Sequence, residues 1–336
     1  MKVVFSPDKN SELLEVIRRF GHQSSAHFIF QEGIHCYHGP NDGRVFYARQ
    51  STPVGAVNLI FTRPLCASDD MQSLLENFLA TQKIPSVFVC VDKNVADLLN
   101  KLGYHINQTG VESTVCLEQF SLHGHPKKQL RHASNFGKRK NCHVKELPWE
   151  EVDAHQVKML SGKWRKTKGV SARELRLITR PPVFGDENEV RKFYCVQGDK
   201  ILAYVFFDPY FQEGKLKGYC ANILRSAPGK ESNGALDFTI LEAIKKFQTE
   251  GVSEISLGIA PLHSIQEEEG ERKSIRFLNN FSYKYAGRLY SAKNLAYHKT
   301  RYRPEQTPWY LCTKDISLLR LYWGLMFGMN IFGSTK

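Results

Sequence analysis

The sequence predicts an α/β fold made of two similar units, and two observations lead to this prediction. Apolar runs with strand character alternate with amphipathic runs of helical period along the chain. The two halves also share one order: a strand ends at an arginine, a Gly/Ser/Asp-rich loop follows, and a long helix begins. The arginines are Arg63 and Arg225. We therefore expect two copies of one unit of mixed strands and helices.

In the first half, the periodicity predicts a helix over 11–20, followed by short strands and two further helices. The strands are expected at 27–30, 34–37, 44–49, 54–62, 86–92 and 112–120. The two further helices are expected at 71–82 and 95–104, where apolar residues recur every three to four positions.

The second half repeats this order. A hairpin is expected over 192–210, from KFYCVQ and KILAYVFFDPY. The elements that follow are a strand at 216–224, a helix at 235–251, a strand at 253–260 and a helix at 272–283.

The net charge of +12 over 336 residues favours a polyanionic partner: nucleic acid, an anionic lipid surface or a phosphate-bearing substrate. The alternative is a basic protein that is merely soluble. Eight scattered cysteines without C-x-x-C spacing are typical of reduced cytosolic thiols, and we expect no metal site. The segment MKVVFSPDKN lacks the apolar region of a signal peptide, and no window reaches about 18 uninterrupted apolar residues.

The most unbalanced stretch of charge is HPKKQLRHASNFGKRKNCHV, and no Asp or Glu occurs over 119–145. A helix over 127–140 would place most of these cations on one face and pack Leu130 and Ala133 inward. Such a stripe suits a phosphate backbone, whereas the alternative is a solvated helix with snorkelling lysines. The expected phosphate-binding residues are Lys127, Lys128, Arg131, Asn135, Lys138, Arg139 and Lys140.

A second basic patch, GKWRKTKGV, places an aromatic residue between cations. Such an aromatic can stack a base while its neighbours hold phosphates. The alternative places Trp164 in the core beside Met159 and Leu160. We predict nucleic-acid contacts for Trp164, Lys166 and Lys168.

The strand–loop–helix segment 216–251 has features of an anion site. Backbone N–H groups at a helix N-terminus favour an anion, and Arg225 can add a charge-assisted contact. Gly229 and Gly234 would let the backbone approach a ligand closely. The loop is neither a P-loop nor G-x-G-x-x-G, so an ordinary strand-to-helix turn is the alternative.

The segment ISLLRLYWGLMFGMNIFG, residues 316–333, is apolar with Arg320, Tyr322 and Trp323 near one end. It is too short and too interrupted for a secure membrane span. Two alternatives are open: a helix lying in a membrane interface, or a terminal helix docked on the core.

Three blocks, in this order, resemble the C-terminal catalytic region of lysylphosphatidylglycerol synthases, the multiple peptide resistance factors. The first, F-x-L-x-G followed by K-x-x-L-R-x-x-x-N, is matched by Phe120, Leu122, Gly124, Lys127, Leu130, Arg131 and Asn135. The second, L-M-R…P-N-G-x-x-D-F, is matched by Arg225, Asn233, Gly234, Asp237 and Phe238. The third, L-G-x-A-P-L, is matched by SLGIAPL, which includes Gly258 and Pro261. The resemblance covers residues 40 to 310.

This resemblance implies a tandem pair of GNAT-like acyltransferase domains with mixed sheets flanked by helices. The expected segments are 1–122 and 146–310 as the two GNAT-like domains, 123–145 as a basic connecting helix, and 311–336 as an apolar tail. The resemblance also implies transfer of an aminoacyl group from charged tRNA, as co-substrate, to the hydroxyl of a membrane phospholipid or to a related acceptor. No further cofactor is implied. We expect a cytoplasmic protein, peripheral on the cytoplasmic face of the inner membrane.

We expect catalytic roles for Arg225, as a phosphate or oxyanion contact, and for Asp237, which would recognise the aminoacyl ammonium or orient an acceptor. The alternative for Asp237 is that it only complements the helix dipole. The expected substrate-binding residues are Asn222, Asn233, Gly234, Gly258 and Pro261. Asn222 departs from the family, which usually has an acid there. The family's long membrane-embedded region is missing from the sequence, so lipid translocation is not expected.

Aminoacyl transfer needs an acceptor held near the ester carbonyl and stabilisation of the developing oxyanion. Neither a Ser-His-Asp arrangement nor G-x-S-x-G is recognisable, so we expect direct transfer without a covalent enzyme intermediate. Two alternatives remain: an acyl-CoA-dependent acyltransferase, and a non-catalytic RNA- or membrane-binding protein on the same scaffold.

Overall fold

The computed structural model describes residues 7–124, 127–167, 173–285 and 292–331. Within them lies one sheet of eleven strands, in the order β1-β2-β3-β4-β11-β5-β10-β9-β8-β7-β6. The strands are β1 Ile34–His38, β2 Arg44–Gln50, β3 Val57–Ile60, β4 Ser86–Val91, β5 His105–Cys116, β6 His143–Glu146, β7 Arg191–Gln197, β8 Lys200–Gln212, β9 Lys215–Ser226, β10 Glu254–Pro261 and β11 Glu305–Thr313.

Helices cover both faces of this sheet. They are α1 Pro7–Phe20, α2 Met71–Thr81, α3 Lys93–Lys101, α4 Lys128–Ser134, α5 Phe136–Lys140, α6 Ala154–Lys166, α7 Ala235–Thr249, α8 Lys273–Tyr285, α9 Ala292–Thr300 and α10 Leu318–Gly328. The prediction of an α/β fold with a helix-flanked mixed sheet is confirmed. None of the helices in the described part of the chain is both long and apolar enough to cross a bilayer.

The sheet order shows that the two halves are built alike. Among the strand pairs of the described residues, only β3 with β4 and β9 with β10 are parallel, and each pair is joined through one helix, α2 or α7. The last strand of each half then crosses into the middle of the sheet. There β5 pairs with β10 of the second half, and β11 pairs with β4 of the first. The repeated order read from the sequence therefore corresponds to a repeated topology.

The exchange of β5 and β11 joins both halves into one continuous sheet. These two strands are antiparallel neighbours at its centre, where nine residue pairs join them from Glu305↔Thr114 to Thr313↔His105. The predicted boundary at 310/311 falls inside β11, so residues on both sides of it belong to the same strand. The division of the chain into four segments remains a prediction.

Successive side chains of a strand point to opposite faces of the sheet, so the core is divided into a layer on each face. On β8, Val205 and Phe207 pack with α7, whereas Tyr204 and Phe206 pack with α6. The helices α6 and α7 therefore lie on opposite faces of the sheet. The first half is layered in the same way: Phe88 packs with α2 and α3, and its neighbours on β4 pack with α1 and α10.

The predicted strand at 27–30 is wrong. Residues Ala26–Ile29 form a 3-10 helix, in which the Phe28 N–H donates to the Ser25 carbonyl at 2.9 Å. The alternation of the HFIF run suits a strand, but its backbone hydrogen bonds are made within the 3-10 helix. Ala26, His27 and Ile29 are buried in the core of the first half.

The single helix predicted over 127–140 is also wrong, because α4 and α5 are separated at Asn135. Asparagine is a weak helix former whose side chain competes for backbone groups. The break lets Phe136 turn inward, where its ring centroid lies 6.0 Å from that of Phe238 on α7. Leu130, Ala133 and Phe136 are all buried, as expected for the inward side of this segment.

Of the two alternatives for the apolar tail, the docked helix is the one observed. Leu321 and Leu325 of α10 belong to the first core cluster. The helix lies so close to β3 that a Cβ on Gly324 would fall 2.5 Å from the Val57 side chain. Glycine is therefore required for this contact.

Candidate functional site

The parallel strands β9 and β10 diverge and leave an opening in the sheet. The two strands pair at only three positions, from Glu254↔Gly218 to Ser256↔Cys220, although both continue well beyond them. Gly258 interrupts β10 with a φ of +75°, and the register with β5 shifts there, which are the marks of a β-bulge. The opening therefore forms at the carboxyl ends of two parallel strands, where ligands bind in open α/β sheets.

The floor of this opening contains a buried carboxylate. Glu112 of β5 accepts hydrogen bonds from the hydroxyls of Ser24 and Ser256, the latter at 2.5 Å. Burial raises the pKa of Glu112 above its ordinary value, and the two hydroxyls offset only part of this effect. A carboxyl group of this kind can hold a proton in an environment where an exposed one would not.

A buried lysine lies directly above the bulge. Lys299 of α9 is 6% exposed, and its ammonium donates to the Ile259 carbonyl at 2.5 Å. A Cβ on Gly258 would lie 3.5 Å from Lys299 Nζ and 4.0 Å from Cys220 Sγ, so these groups surround the same point. Burial lowers the pKa of Lys299 to about 8, against an opposing effect of the Glu112 charge. This amine can therefore exchange a proton near neutral pH.

Neighbouring Cys220 does not share this reactivity. Burial raises the pKa of its thiol, and the charges of Asp208 and Glu112 raise it further. The thiolate that a nucleophile requires is therefore strongly disfavoured. This agrees with the expectation of direct transfer.

The wall formed by β9 carries two of the predicted residues. Asn222 Oδ1 accepts a hydrogen bond from the Thr179 hydroxyl at 2.6 Å. Its Nδ2 is buried and has no hydrogen-bond partner among the described residues, so its two N–H donors are not used by these residues. Asn222 and Gly258, both predicted to bind substrate, thus lie on the two strands that diverge.

Arg225 lies further along β9, and its guanidinium already forms hydrogen bonds with other side chains of the chain. Its guanidinium donates to both carboxylate oxygens of Glu174, one at 3.0 Å, and to the Ser161 hydroxyl. It also lies 4.8 Å from the centre of the Trp164 ring. Arg225 is 4% exposed, so its direct geometric role is to fix Glu174 and α6 against β9.

Asp237 occupies the first turn of α7 and is held by α9. Its carboxylate accepts from the Tyr302 hydroxyl at 2.8 Å and lies 3.0 Å from both His298 Nε2 and an Arg301 nitrogen. Burial alone would raise the pKa of Asp237, but His298, Arg301 and Tyr302 together lower it below its ordinary value. The carboxylate is charged and ties the start of α7 to the helix that carries Lys299.

The remaining predicted substrate residues are more dispersed. Gly234 precedes α7 with a φ of +103°, and a Cβ there would lie 3.3 Å from the Phe136 ring. Asn233 is exposed in the loop before it. Pro261 ends β10, opposite Gly110 of β5. Phe136 therefore covers the start of α7, where an anion had been expected.

The basic segment, residues 127–140, divides into two groups. The ammonium of Lys127 donates to the Ser121 carbonyl at 2.8 Å, and Arg131 donates to the carbonyls of Leu122, at 2.8 Å, and Gly124. These two cations hold the preceding loop. The other predicted residues of the segment are exposed: Lys128, Asn135, Lys138, Arg139 and Lys140. Arg139 also donates to the His132 carbonyl at 3.0 Å.

The second basic patch is not continuous with the first. Trp164 and the exposed Lys166 belong to α6, whereas α4 and α5 pack on α7 at the opposite face of the sheet. Lys168 lies outside the described residues. The predicted phosphate-binding set is therefore split between two surfaces, with Trp164 packed on Arg225.

Two residues of the opening escaped the sequence analysis: Glu112 and Lys299. The available signal for Glu112 was an acid inside a strand that is otherwise apolar or small, ESTVC. Asp208, another acid in an apolar strand, turned out to be a fully buried partner of Arg180, with contacts of 2.9 and 2.6 Å. In the parts of the chain that the structure describes, no group of three or more His, Cys, Asp or Glu side chains could hold a metal ion.

Comparisons with known proteins agree with this architecture. A family model described as "Phosphatidylglycerol lysyltransferase, C-terminal" matches residues 14–313. The chain is 28% identical over 250 residues to a Bacillus subtilis (strain 168) phosphatidylglycerol lysyltransferase. This match covers 71% of the chain and 28% of that relative, so the chain spans less than a third of its length.

Solved structures share the fold across nearly the whole chain. The C-terminal domain (DUF2156) of an Agrobacterium fabrum protein superposes with a TM-score of 0.73 at 17% identity, covering 95% of this chain and 98% of the other. L-PGS from Bacillus licheniformis gives 0.72 at 19% identity, with 96% and 97% covered. FemX gives 0.56 at 8% identity, with 96% and 98% covered. Because the family model covers most of the sequence, the chain belongs to the phosphatidylglycerol lysyltransferase C-terminal family.

Proposed function

We propose that this chain transfers an aminoacyl group from charged tRNA to the hydroxyl of a membrane phospholipid. The proposal rests on family membership together with one observation: the opening between β9 and β10 holds a buried amine whose pKa is about 8. The relative from Bacillus subtilis is named for lysyl transfer to phosphatidylglycerol. We propose the same class of reaction here, at the cytoplasmic face of a membrane.

The proposed reaction is one acyl transfer. The acceptor hydroxyl oxygen attacks the ester carbonyl of the aminoacyl-tRNA, a new C–O bond forms, and the bond to the ribose oxygen breaks. Lys299, in its neutral form, receives the acceptor's proton and returns it to the ribose oxygen that leaves. The balance is complete without an oxidant, a metal or a covalent enzyme intermediate.

The diverging strands supply the binding groups. Beyond Ser256, the backbone of β10 no longer pairs with β9. The Gly258 N–H donates to the Ser256 hydroxyl at 3.0 Å, and the Ile259 carbonyl accepts from Lys299. We propose that the Gly258 N–H turns from the Ser256 hydroxyl to the substrate and stabilises the developing oxyanion. The available Nδ2 of Asn222 adds a donor on the opposite wall.

Glu112 is the candidate group for recognising the aminoacyl ammonium. It is buried beside the bulge, and its raised pKa would fall when a cation binds. Asp237 is less suited to this task, because His298, Arg301 and Tyr302 already surround its carboxylate. We therefore propose Asp237 and Arg225 as positioning residues.

The acyl-CoA alternative is less favoured by the geometry. A CoA pyrophosphate would need the free N-terminus of the helix that follows β9. Phe136 packs over Gly234 at that terminus, and the charged Asp237 carboxylate already lies in the first turn of α7. Both features oppose a second anion there.

For the tRNA we propose the exposed cations of α4 and α5, chiefly Lys138, Arg139 and Lys140. They are exposed on α5, which packs on α7 and lies beside β7, where the Gln197 side chain donates to the Lys140 carbonyl at 2.6 Å. Their neighbours Lys127 and Arg131 shape the loop that precedes them.

The test supplies tRNA charged with a labelled amino acid and vesicles that contain phosphatidylglycerol. We expect labelled lipid that disappears when the charged tRNA is digested with ribonuclease beforehand. Labelled product that forms equally well after digestion, or only with acyl-CoA as donor, would contradict the proposal. Absence of any product together with salt-sensitive RNA binding would favour a non-catalytic role.

A further inference from the structure

Helix α8 presents an aromatic stripe to solvent. Phe277, Phe281 and Tyr285 recur every fourth residue, and their exposed fractions are 68%, 53% and 60%. Their rings contact one another, with centroids 6.4 and 4.8 Å apart. The opposite face of α8 buries Ile275 and Asn279. Three large exposed aromatics on one helix face exceed the scattered apolar exposure of an ordinary surface.

The charge around this stripe is positive. The sequence contains no Asp or Glu from Arg272 to Pro304. Lys284 lies 5.1 Å from the ring of Tyr285, and Lys293, at the start of α9, lies 5.6 Å from the ring of Tyr283. Lys284 therefore lies beside the stripe, whereas Lys293 lies at the side of α8 that carries Tyr283.

The acidic run just before α8 forms ion pairs with Arg276 and with Lys93. Glu267 and Glu271 contact Arg276 at 2.6 and 3.0 Å. Glu268 contacts Lys93 of α3 at 3.2 Å. Lysines nearer the stripe, Lys273 and Lys284, are exposed.

Helix α8 is linked to the candidate site through the loop that follows β10. On α9, Lys299 enters the opening, while Tyr297, on the other side of the same helix, is 58% exposed. The hydroxyl of Tyr283 lies 3.2 Å from His263 Nδ1, which links α8 to the loop after β10. A molecule held against α8 and α9 would therefore lie beside the mouth of the opening.

We propose that the stripe of Phe277, Phe281 and Tyr285, with the lysines around it, docks the chain on an anionic lipid bilayer. Aromatic rings of such a helix enter the headgroup region, while lysines contact anionic headgroups. The acceptor lipid would then reach the opening from the same surface. This inference rests on the proposed function for the acceptor, but bilayer docking can be measured without any transfer.

The experiment compares sedimentation with vesicles of phosphatidylcholine, with and without phosphatidylglycerol. The variant F277S/F281S is expected to bind the anionic vesicles at least about tenfold more weakly than the unsubstituted chain. Lys273→Gln combined with Lys284→Gln is expected to weaken binding to anionic vesicles only. The matched control is Met159→Ser, an apolar residue of α6 that is 49% exposed on another surface and should leave binding unchanged.

Each other outcome overturns the inference. Full vesicle binding by F277S/F281S, or equal loss in M159S, would show that the stripe is not the docking surface. Loss of charged-tRNA binding with vesicle binding intact would assign the stripe to RNA. A concentration-dependent dimer that F277S/F281S abolishes, without vesicle binding, would assign it to a second copy of the chain.

The same variant separates this inference from the proposed function. Because both phenylalanines are exposed, we expect F277S/F281S to unfold at the same denaturant concentration as the unsubstituted chain and to retain transfer to a detergent-dispersed acceptor. If vesicle docking depends on the stripe but no transfer is found with any acceptor, the docking inference stands and the proposed function fails. If transfer is found but the stripe is dispensable for docking, the proposed function stands and the docking inference fails.

Discussion

Each parallel strand pair is followed by an opening in the sheet. The two openings have similar backbone geometry and differ in the side chains that occupy them. In the first half β3 and β4 pair from Asn58↔Ser86 to Ile60↔Phe88, and β4 is then interrupted at Cys90, whose φ is +58°. In the second half Gly258 interrupts β10 at the same distance from the pairing. The two bulges are thus equivalent positions of the repeated unit.

The first opening is closed by one side chain. Gln23 donates to the Cys90 carbonyl at 2.6 Å and accepts from the Arg63 N–H at 2.8 Å, so it replaces the missing strand-to-strand bonds. The Arg63 guanidinium in turn contacts Asp92 at 2.6 Å. In the second opening Asn222 retains an unused donor and Lys299 reaches the bulge. The two equivalent openings therefore differ in chemistry: a neutral amide bridges the first, whereas a buried amine occupies the second beside an amide nitrogen without a partner among the described residues.

The largest effect is expected from removing the amine of the second opening. Lys299→Met should lower the rate of aminoacyl transfer about a hundredfold or more, because proton transfer to the leaving oxygen is lost. Since the amine must be neutral to accept a proton, the rate for the unsubstituted chain should rise with pH up to about 8 and then level off.

Stability provides an independent check on the same residue. The folded pKa of Lys299 lies below the ordinary value of 10.5, so the unfolded chain binds more protons between about 8 and 10.5. The free energy of unfolding should therefore rise with pH across this interval, and Lys299→Met should lose that rise. Equal pH dependence in the variant and the unsubstituted chain would contradict the burial of this charge.

The next largest effect is expected from substituting the acidic residues at the starts of the two equivalent helices, α7 and α2. Asp237→Asn should lower the free energy of unfolding by about 3 kcal/mol, because it leaves buried partners of the carboxylate without their counter-charge. Asp70→Asn, before α2, is the matched control; its carboxylate contacts only the exposed Asn41 side chain at 3.0 Å among the described residues, so a change within about 0.5 kcal/mol is expected.

Because the pKa of Asp237 is lowered, the difference in stability between the unsubstituted chain and Asp237→Asn should depend on pH. Because the folded pKa is lowered, the carboxylate contributes stability above its unfolded pKa, and this contribution is lost as pH falls through the folded pKa. Chemical denaturation at neutral and acid pH should therefore show the gap between the unsubstituted chain and Asp237→Asn closing in acid. A gap that stays constant would indicate a loss of packing instead.

The two openings themselves can be compared directly. Gln23→Ala should cost about 2 kcal/mol of unfolding free energy, because it leaves a buried carbonyl and a buried N–H unpaired, and it should leave transfer by the folded protein unchanged. Asn222→Ala should cost less than about 1 kcal/mol and should lower kcat/KM for transfer. The opposite pattern would place the functional opening in the first half.

The smallest effect concerns the two basic surfaces. Lys138→Gln with Lys140→Gln should weaken tRNA binding and reduce the slope of log affinity against log salt by about 1.5, since two phosphate contacts are lost. Lys166→Gln, on the opposite face of the sheet, should leave the slope unchanged. Equal reductions in both variants would show that the RNA contacts both faces.

Much of the fold could be predicted because helical and strand periods are local properties of the sequence. The hairpin of β7 and β8, the helix α7 and the repeated strand–loop–helix order all followed from such patterns. The errors occurred where tertiary contacts decide. The HFIF run at 27–30 alternates like a strand but forms a 3-10 helix, and Asn135 divides the basic segment so that Phe136 can pack on Phe238.

The site was predicted less completely for a similar reason. Asn222 and Gly258 were expected on the strength of a resemblance, and the structure places them on the two diverging strands. Glu112 and Lys299 come from β5 and α9, far apart in sequence, and meet only after β5 has crossed to the second half. Trp164 carried a nucleic-acid prediction, yet its ring packs on Arg225, a contact that no local pattern reveals.

The sequence by itself determined the layered α/β class, the repeat, the positive charge and the family, because periodicity, composition and short motifs are all written along the chain. Only the tertiary structure decided which of the two equivalent openings is filled, which cations are used internally and which helix exposes aromatic rings. The physical reason is that a side chain's pKa, pairing and exposure depend on neighbours brought from distant segments, and the exchange of β5 and β11 determines those neighbours here.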